Sequence, residues 1–576
     1  MADMHWELDD PAAAGTLYSR AVVGEMCPGA LSPLTATGGI GAELGPAWLR
    51  AYRDCGLGTG AEGHHPVLRF GSHLYLDTSL LRQLGEYAAG GDPMAFARQY
   101  LAERPDVPRR RDEQPVPGVA EDRLDAWTES TLSPGGMCPE DPGGGAAERR
   151  GARPDLAASS DAALVARFTG LRGELQDALL LLARAELGTA VSSDLLASST
   201  EGAGHPALNG ALVAGYGGML AEPVVQLWAL GRQVARSVRL PRLFEQGITA
   251  VAEQVEHARG GEMALFRSGL NALLARYGHL GPAEWELNAD TWETDPRLVL
   301  RILDDMRLAA DHADPLSRAR RSAERSVATA SAVRASIGGS ARATADFELA
   351  LHATRHWLRH RERFRQVVAQ VHHEQRLAVR ELGRRQVGSG VLDNIGQVFM
   401  LLGAELPAFV AEPAAFGETL RMREYDFHAL ARYQPPFVTV GPPGPVVGWS
   451  RRRDALPLRG RQRSTLPGTA TSAGTATGRA RVLADPARGH GLRPGDVLVL
   501  PSAGPSWVPL LTTAVGVVTD SGGALSDVSI ACRDLGIPCV VGTVDATSRI
   551  VGGAEITVDG GAGAVYTSRP DHVVGL

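Results

Sequence analysis

The sequence predicts a multidomain protein in which a large α-helical domain is followed by a small α/β domain. Three observations predict it. Apolar residues recur at three- and four-residue spacing through the middle of the chain, as in Ala162–Leu187 and Thr344–Leu382. After residue 468 the rhythm changes to short β-rich runs bounded by glycine turns. Between the two regimes, residues 435–467 are rich in proline and arginine and read as a semi-rigid linker.

Taken in order, residues 1–104 form the N-terminal part of the helical domain, where FGSHLYLDTSLL reads as a short strand or hairpin. Residues 105–160 carry too much proline, glycine and charge to bury a core, so they read as a disordered insertion. Residues 161–434 are the main helical body, with helical periodicity again near 220–277 and 294–310. Residues 468–576 supply the runs ARVL, DVLVLP, AVGVVTD, PCVVG, EITVDG and AVYTS, with helices expected at Pro505–Thr513 and Asp527–Leu535. A small domain on a proline-rich tether suggests that it moves.

Composition narrows the chemistry. Of 576 residues, 58 are basic and 65 acidic, a net charge of −7 that gives no reason to expect nucleic acid or an anionic membrane. All 58 basic residues are arginine. That excludes a Schiff-base lysine, a phosphate-loop lysine and a lysine general base. The bias fits a GC-rich genome, as do 68 Gly and 36 Pro. No apolar run reaches the roughly 18 residues of a membrane span, and MADMHWELDD has no signal-peptide pattern. The five cysteines (Cys27, Cys55, Cys138, Cys532, Cys539) are never spaced as CxxC, which points to a reducing cytoplasm rather than a disulfide framework or zinc site.

The most informative stretch is Thr519–Gly542, TDSGGALSDVSIACRDLGIPCVVG. A strand ends at Ser521-Gly522-Gly523 and a helix starts near Ser526-Asp527. The glycines permit a tight turn, and the free N–H groups of the helix start favour an anion. Residue 527 is presented at that positive end. Asp527 reads as a helix N-cap, as a base or metal ligand, or as an aspartyl-phosphate acceptor.

This stretch resembles the phosphohistidine swivelling domain of the phosphoenolpyruvate-utilising enzymes, a family that includes phosphoenolpyruvate synthase, pyruvate phosphate dikinase and rifampicin phosphotransferase. Gly522, Gly523, Ser526, Ile530, Arg533, Gly536, Ile537, Pro538, Val540, Val541 and Gly542 carry the likeness, with GDVLVLPSAGPSWVPL and EITVDGGAGAVY beside them. Where the family has its phosphorylated histidine, this chain has Asp527, so no phosphohistidine is expected. The remainder resembles, more weakly, the acceptor half of rifampicin phosphotransferase-like proteins. SRAVVGEMCPGALSPLT, FGSHLYLDTS, ARYGHLGPAEWEL and the segment from Trp357 to Gly383 carry that likeness.

The resemblance implies an acceptor pocket around Glu25, Pro33, His279, Gly281, Glu284, Arg361 and Glu362. Departures are Val22 for Asn, His73 for Arg, Asp77 for Asn, Leu280 for Arg and Arg365 for Lys. It further implies that an ATP-grasp module is missing, so no ATP site is expected on this chain and a separate ATP-grasp protein is a candidate partner. On this reading Asp527, His279, Glu284 and Glu362 are the catalytic candidates. Arg361, Arg365, Arg533, Ser526, Gly522, Gly523, Glu25 and His73 are candidates for binding substrate or phosphate.

Two further patterns stand apart. His352, His356 and His360 recur at helical spacing among Arg355, Arg359 and Arg363, with Glu348 one turn earlier; two such histidines can share a metal, but the HExxH context is absent and the pattern reads as a solvated or pocket-lining cationic face. Asp304 and Asp305 are an acidic pair that could hold Mg²⁺. The expected function is an enzyme of specialised metabolism acting on a small molecule with a hydroxyl, phosphate or diphosphate by elimination, dehydration or cyclisation, with a terpenoid as one candidate substrate. The alternatives are phosphotransfer to a small-molecule hydroxyl with an ATP-grasp partner, and a degenerate binding protein without catalysis.

Overall fold

A computed structural model describes residues 9–58, 65–88, 118–133, 146–204, 209–216, 221–451, 465–483, 492–504 and 507–567. It has a large, mostly helical domain and a small C-terminal α/β domain. The helical domain is organised on two long helices, Arg172–Gly202 and Ala341–Gly388. Ser340 caps the second by accepting from the Ala343 N–H. The middle of the first reads LLLLARAEL and is buried apart from Arg184, which pairs with Asp54, as expected of a helix apolar over most of its circumference. Close approach of the pair needs Gly188, where a Cβ would lie 2.5 Å from the Trp357 ring. The Trp357 indole N–H donates to the Thr131 carbonyl at 2.9 Å.

The N-terminal segment adds an antiparallel sheet in the order Val67–Phe70, His73–Asp77, Leu17–Ser19 and Val438–Val440. The expected hairpin is therefore present, and the last strand corrects the reading of 435–467 as linker throughout. The β-branched run FVTV pairs with the N-terminal strand, and Val446 and Trp449 are buried. Residues 452–464 lie outside the described residues. Thr465–Pro467 already belongs to the C-terminal sheet.

The insertion at 105–160 is also more ordered than its composition suggests. Residues 105–117 and 134–145 lie outside the described residues. Glu121–Leu132 and Ala146–Gly151 are helices. Leu124 is buried, and Arg153 forks onto Glu293 at 2.8 Å and Glu374 at 2.7 Å. Part-buried ion pairs and one apolar anchor hold the described part of a segment whose average composition argues for disorder.

The small domain is one eight-stranded sheet. Its centre is the parallel set Thr475–Val482, Asp496–Leu500, Gly516–Thr519 and Cys539–Val541, with antiparallel strands on either side. Helix Asp527–Leu535 crosses from the third of these to the fourth and ends at Gly536, which has φ +64°. The first expected helix, Pro505–Thr513, reduces to Val508–Leu511, with 505–506 outside the described residues. Among the described residues, no helix is long and apolar enough to cross a membrane.

Candidate functional site

The site forms where helix Asp527–Leu535 points its N-terminus at the long helix Ala341–Gly388. Gly522, with φ +126°, turns the chain after its strand in a conformation that favours glycine. Ser526 is the N-cap residue. Its hydroxyl donates to Ser529 Oγ, and that hydroxyl donates to the Gly523 carbonyl at 2.8 Å. Asp527 is therefore not the cap. It is the first helical residue, fully buried, and its carboxylate leaves the small domain for two arginines.

Arg361 and Arg365 lie one turn apart on the long helix and share that carboxylate. Arg365 Nη2 donates to Asp527 Oδ2 at 2.7 Å, and Arg361 Nη2 donates to Oδ1 at 3.5 Å. Arg361 also reaches Glu186 Oε1 at 2.8 Å through Nε and Glu362 Oε1 at 3.1 Å through Nη1. Arg365 Nη1 lies 3.7 Å from Glu186, and its guanidinium faces the Trp285 ring. Glu25, in the one-turn helix Val23–Met26 before the hairpin, accepts the Asp527 backbone N–H through Oε2 at 3.4 Å.

Four carboxyls (Glu186, Glu284, Glu362 and Asp527) are thus buried around two guanidiniums, with Glu25 partly exposed at the rim. Two positive charges cannot neutralise five negative ones in so dry a place, so protons must be retained. Burial, with Asp527 nearby, pushes the Glu25 carboxyl up to about 8 and those of Glu284 and Glu362 up to about 7. For Arg361, burial works against the charge, but Glu186, Glu362 and Asp527 outweigh it and hold the guanidinium protonated. Arg365 Nε and Glu284 Oε2 are buried with no hydrogen-bond partner among the described residues. Such orphaned groups mark a place that a ligand or water completes.

Other candidates lie elsewhere. His279 is buried and bonded to Gln366 Oε1 at 2.9 Å; burial lowers its pKa to about 4, leaving a neutral ring at neutral pH. It lines a small cleft with Glu293 and His373. His73 bonds the Gly71 carbonyl and packs against Trp449. Arg533, at the far end of the short helix, donates to the Thr471 carbonyl and packs against Gly210 in the domain junction. Asp304 is taken by Arg307 at 2.7 Å, and adjacent helical residues such as Asp304 and Asp305 point about 100° apart. They do not fit a shared Mg²⁺. Among the described residues, no group of three or more His, Cys, Asp or Glu is arranged to hold a metal.

His352, His356 and His360 stack along the helix surface, with 4.4 Å between the last two rings. Glu348 turns to Arg334. Glu186 was not anticipated from the sequence, although an acid inside LLLLARAEL is the signal that would have found it.

In this arrangement a small sheet domain docks its Gly-Gly helix start against arginines of the helical domain. Residues 492–563 match the mobile domain of the PEP-utilising enzymes. Residues 187–362 match the fourth domain of rifampicin phosphotransferase, and the chain is a homologue of that enzyme. It is 30% identical to rifampicin phosphotransferase of Streptomyces sviceus over 54% of this chain and 35% of the relative. It is 27% identical to the prodigiosin synthesizing transferase PigC of Serratia marcescens, over 62% of this chain and 39% of the relative. Chondramide synthase cmdD of Chondromyces crocatus is 28% identical over 62% of this chain and 10% of its own length. The chain thus spans well under half of each, on a scaffold shared with enzymes of specialised metabolism.

Proposed function

We propose that the chain is an enzyme that cleaves a phosphate or diphosphate ester of a small molecule by elimination, dehydration or cyclisation, without a phosphohistidine. The observation that carries this reading is the incomplete arginine site, in which Arg365 Nε has no hydrogen-bond partner among the described residues and lies amid carboxyls that retain protons near neutrality. Arg361 and Arg365 would grip the phosphate oxygens, which guanidinium groups do bidentately. Substrate phosphate competes with Asp527 for these donors, so the Asp527 side chain swings off the arginines as substrate enters while the small domain stays docked. Glu284 and Glu362, when protonated, donate hydrogen bonds to the anion instead of repelling it. The freed Asp527 then takes a proton from carbon while a neutral carboxyl protonates the leaving oxygen. The C–O electron pair leaves with the phosphate, and the C–H pair forms the double bond.

The test is to incubate the purified chain with diphosphates from dimethylallyl to geranylgeranyl and the matching monophosphates, with and without Mg²⁺, following phosphorus NMR. Release of phosphate or diphosphate is expected, reduced at least about tenfold in Glu284→Gln and Asp527→Ala, the loss typical of removing an acid–base group or a binding partner. Turnover unchanged in both variants sinks the site assignment. Saturable binding without turnover favours a binding protein.

A second reading is favoured by the place of Asp527, which meets the arginines where the related enzymes carry their phosphorylated histidine. There an ATP-grasp partner would supply the phosphoryl group. Asp527→His with such a partner and γ-labelled ATP should then label a small-molecule acceptor, and no label counts against it.

A further inference from the structure

We propose that Glu25 and Asp527 are the proton pair of this site, Glu25 donating and Asp527 accepting, completed across the domain boundary when the small domain docks. This rests on the ester-cleavage reading above and assigns the acid that it leaves open.

The geometry singles out Glu25 among the carboxyls. Its Oε2 meets the Asp527 N–H, so the carboxyl sits at the start of the short helix, beside the Asp527 side chain. Gly504 of the small domain closes over both. A Cβ there would lie 3.3 Å from the Glu25 carbonyl oxygen and 4.0 Å from Asp527 Oδ2. Glu186, Glu284, Glu362 and Asp527 are sealed from solvent, whereas Glu25 stays partly exposed.

The turn that leads into the short helix carrying Glu25 is held in an unusual shape. Val22 adopts φ 62° and ψ −67°, and the Val23 N–H donates to the Ala21 carbonyl at 2.7 Å. That is a γ-turn of the rare, strained kind, with a β-branched residue at its centre. Strain of this sort persists where surrounding structure enforces it, often at functional sites. Here buried Arg20 does so, donating to the Cys27 carbonyl at 2.9 Å and the Pro28 carbonyl at 3.2 Å. The turn and its anchor thus bracket Glu25 on both sides.

The charged groups around Glu25 come from each packed element: Asp527 from the small domain, and Arg361 and Arg365 from the long helix, with Glu362 and Glu186 behind them. Burial and the Asp527 charge favour the protonated form of Glu25, while Arg365, Arg361 and the Asp527 N–H bond oppose it. In the reaction the Glu25 O–H breaks as the leaving oxygen takes the proton. The carbon proton passes to Asp527, and the adjacent carboxyls then exchange it to restore the starting state. No oxidant or reductant is involved.

The test is infrared spectroscopy of the full chain in D₂O between pH 5 and 10, alongside the phosphorus assay. A protonated carboxyl band should persist at pH 7 and vanish with a midpoint near 8. Glu25→Gln should remove that component, and Asp527→Asn should move the midpoint down by about one unit as the facing charge is lost. An unchanged spectrum in Glu25→Gln, or an unmoved midpoint in Asp527→Asn, overturns the pair. If Glu25→Gln does not fold, the Asp527→Asn midpoint decides alone. With a turned-over ester, Glu25→Gln should lose about a hundredfold in release while still binding inorganic diphosphate. If no ester is turned over, the ester-cleavage reading fails, and the infrared result still judges the pair.

Discussion

Arg361→Leu will cost the fold about 3–5 kcal/mol, the loss typical of removing one partner from a buried ionic cluster. Arg361 is 2% exposed and touches Glu186, Glu362 and Asp527. Leucine removes the 2.8 Å contact of Glu186, whose contact with Arg365 is longer, at 3.7 Å. Two of the three acids lie in the helical domain and one in the small domain, so both the fold and the docking weaken. Denaturant unfolding measures the loss. Arg361→Lys should fall between, because a single ammonium cannot reproduce a three-way fork. A loss below about 1 kcal/mol for leucine, the level of an exposed pair, would show that the cluster is not dry.

Raising the pH from 6.5 to 9 will destabilise the protein by about 3–4 kcal/mol through three carboxyls. Glu25, Glu284 and Glu362 have pKa values raised from 4.5 to about 8, 7 and 7. Between 4.5 and those values the folded state binds more protons than the unfolded chain. Their stabilising contribution is present at low pH and lost as the pH rises through 7 to 8. Between pH 4.5 and 6.5 buried histidines oppose this: His279 and His372 fall from 6.5 to about 4 and about 3, so their contribution shrinks as the pH descends and offsets part of the carboxyl gain. The two sets separate at about pH 6.5, and above it the carboxyls govern. Melting temperatures taken across that range should fall, and Glu25→Gln should remove part of the slope. A flat profile would mean that the three acids ionise as they do in water.

Much of this site was legible beforehand because its parts sit in short-range patterns. The Gly522-Gly523 turn followed by Ser526-Asp527 announces a helix start, whatever surrounds it. Arg361, Glu362 and Arg365 lie within one turn of one helix, so their proximity needed no tertiary knowledge. Glu186 joins them from 175 positions away in sequence, and periodicity does not report which helix faces which. Arg533 illustrates the opposite error. It lies near the end of a nine-residue helix that begins at Asp527, so it serves the junction with Thr471 and Gly210 rather than the arginine pair. His279 is adjacent to the right helix but bonds Gln366, a distinction that only side-chain direction makes. In the segments read as linker and insertion, a few anchors such as Trp449 and Arg153 override average composition.

The central claim is that Arg361 and Arg365 form a phosphate site that Asp527 occupies until substrate arrives. Calorimetric titration with inorganic diphosphate tests it most directly. Binding to Asp527→Ala should be at least about tenfold tighter than to the wild type, because the internal competitor is gone, while Arg365→Leu should abolish binding. Equal affinity in the wild type and both variants would contradict the account.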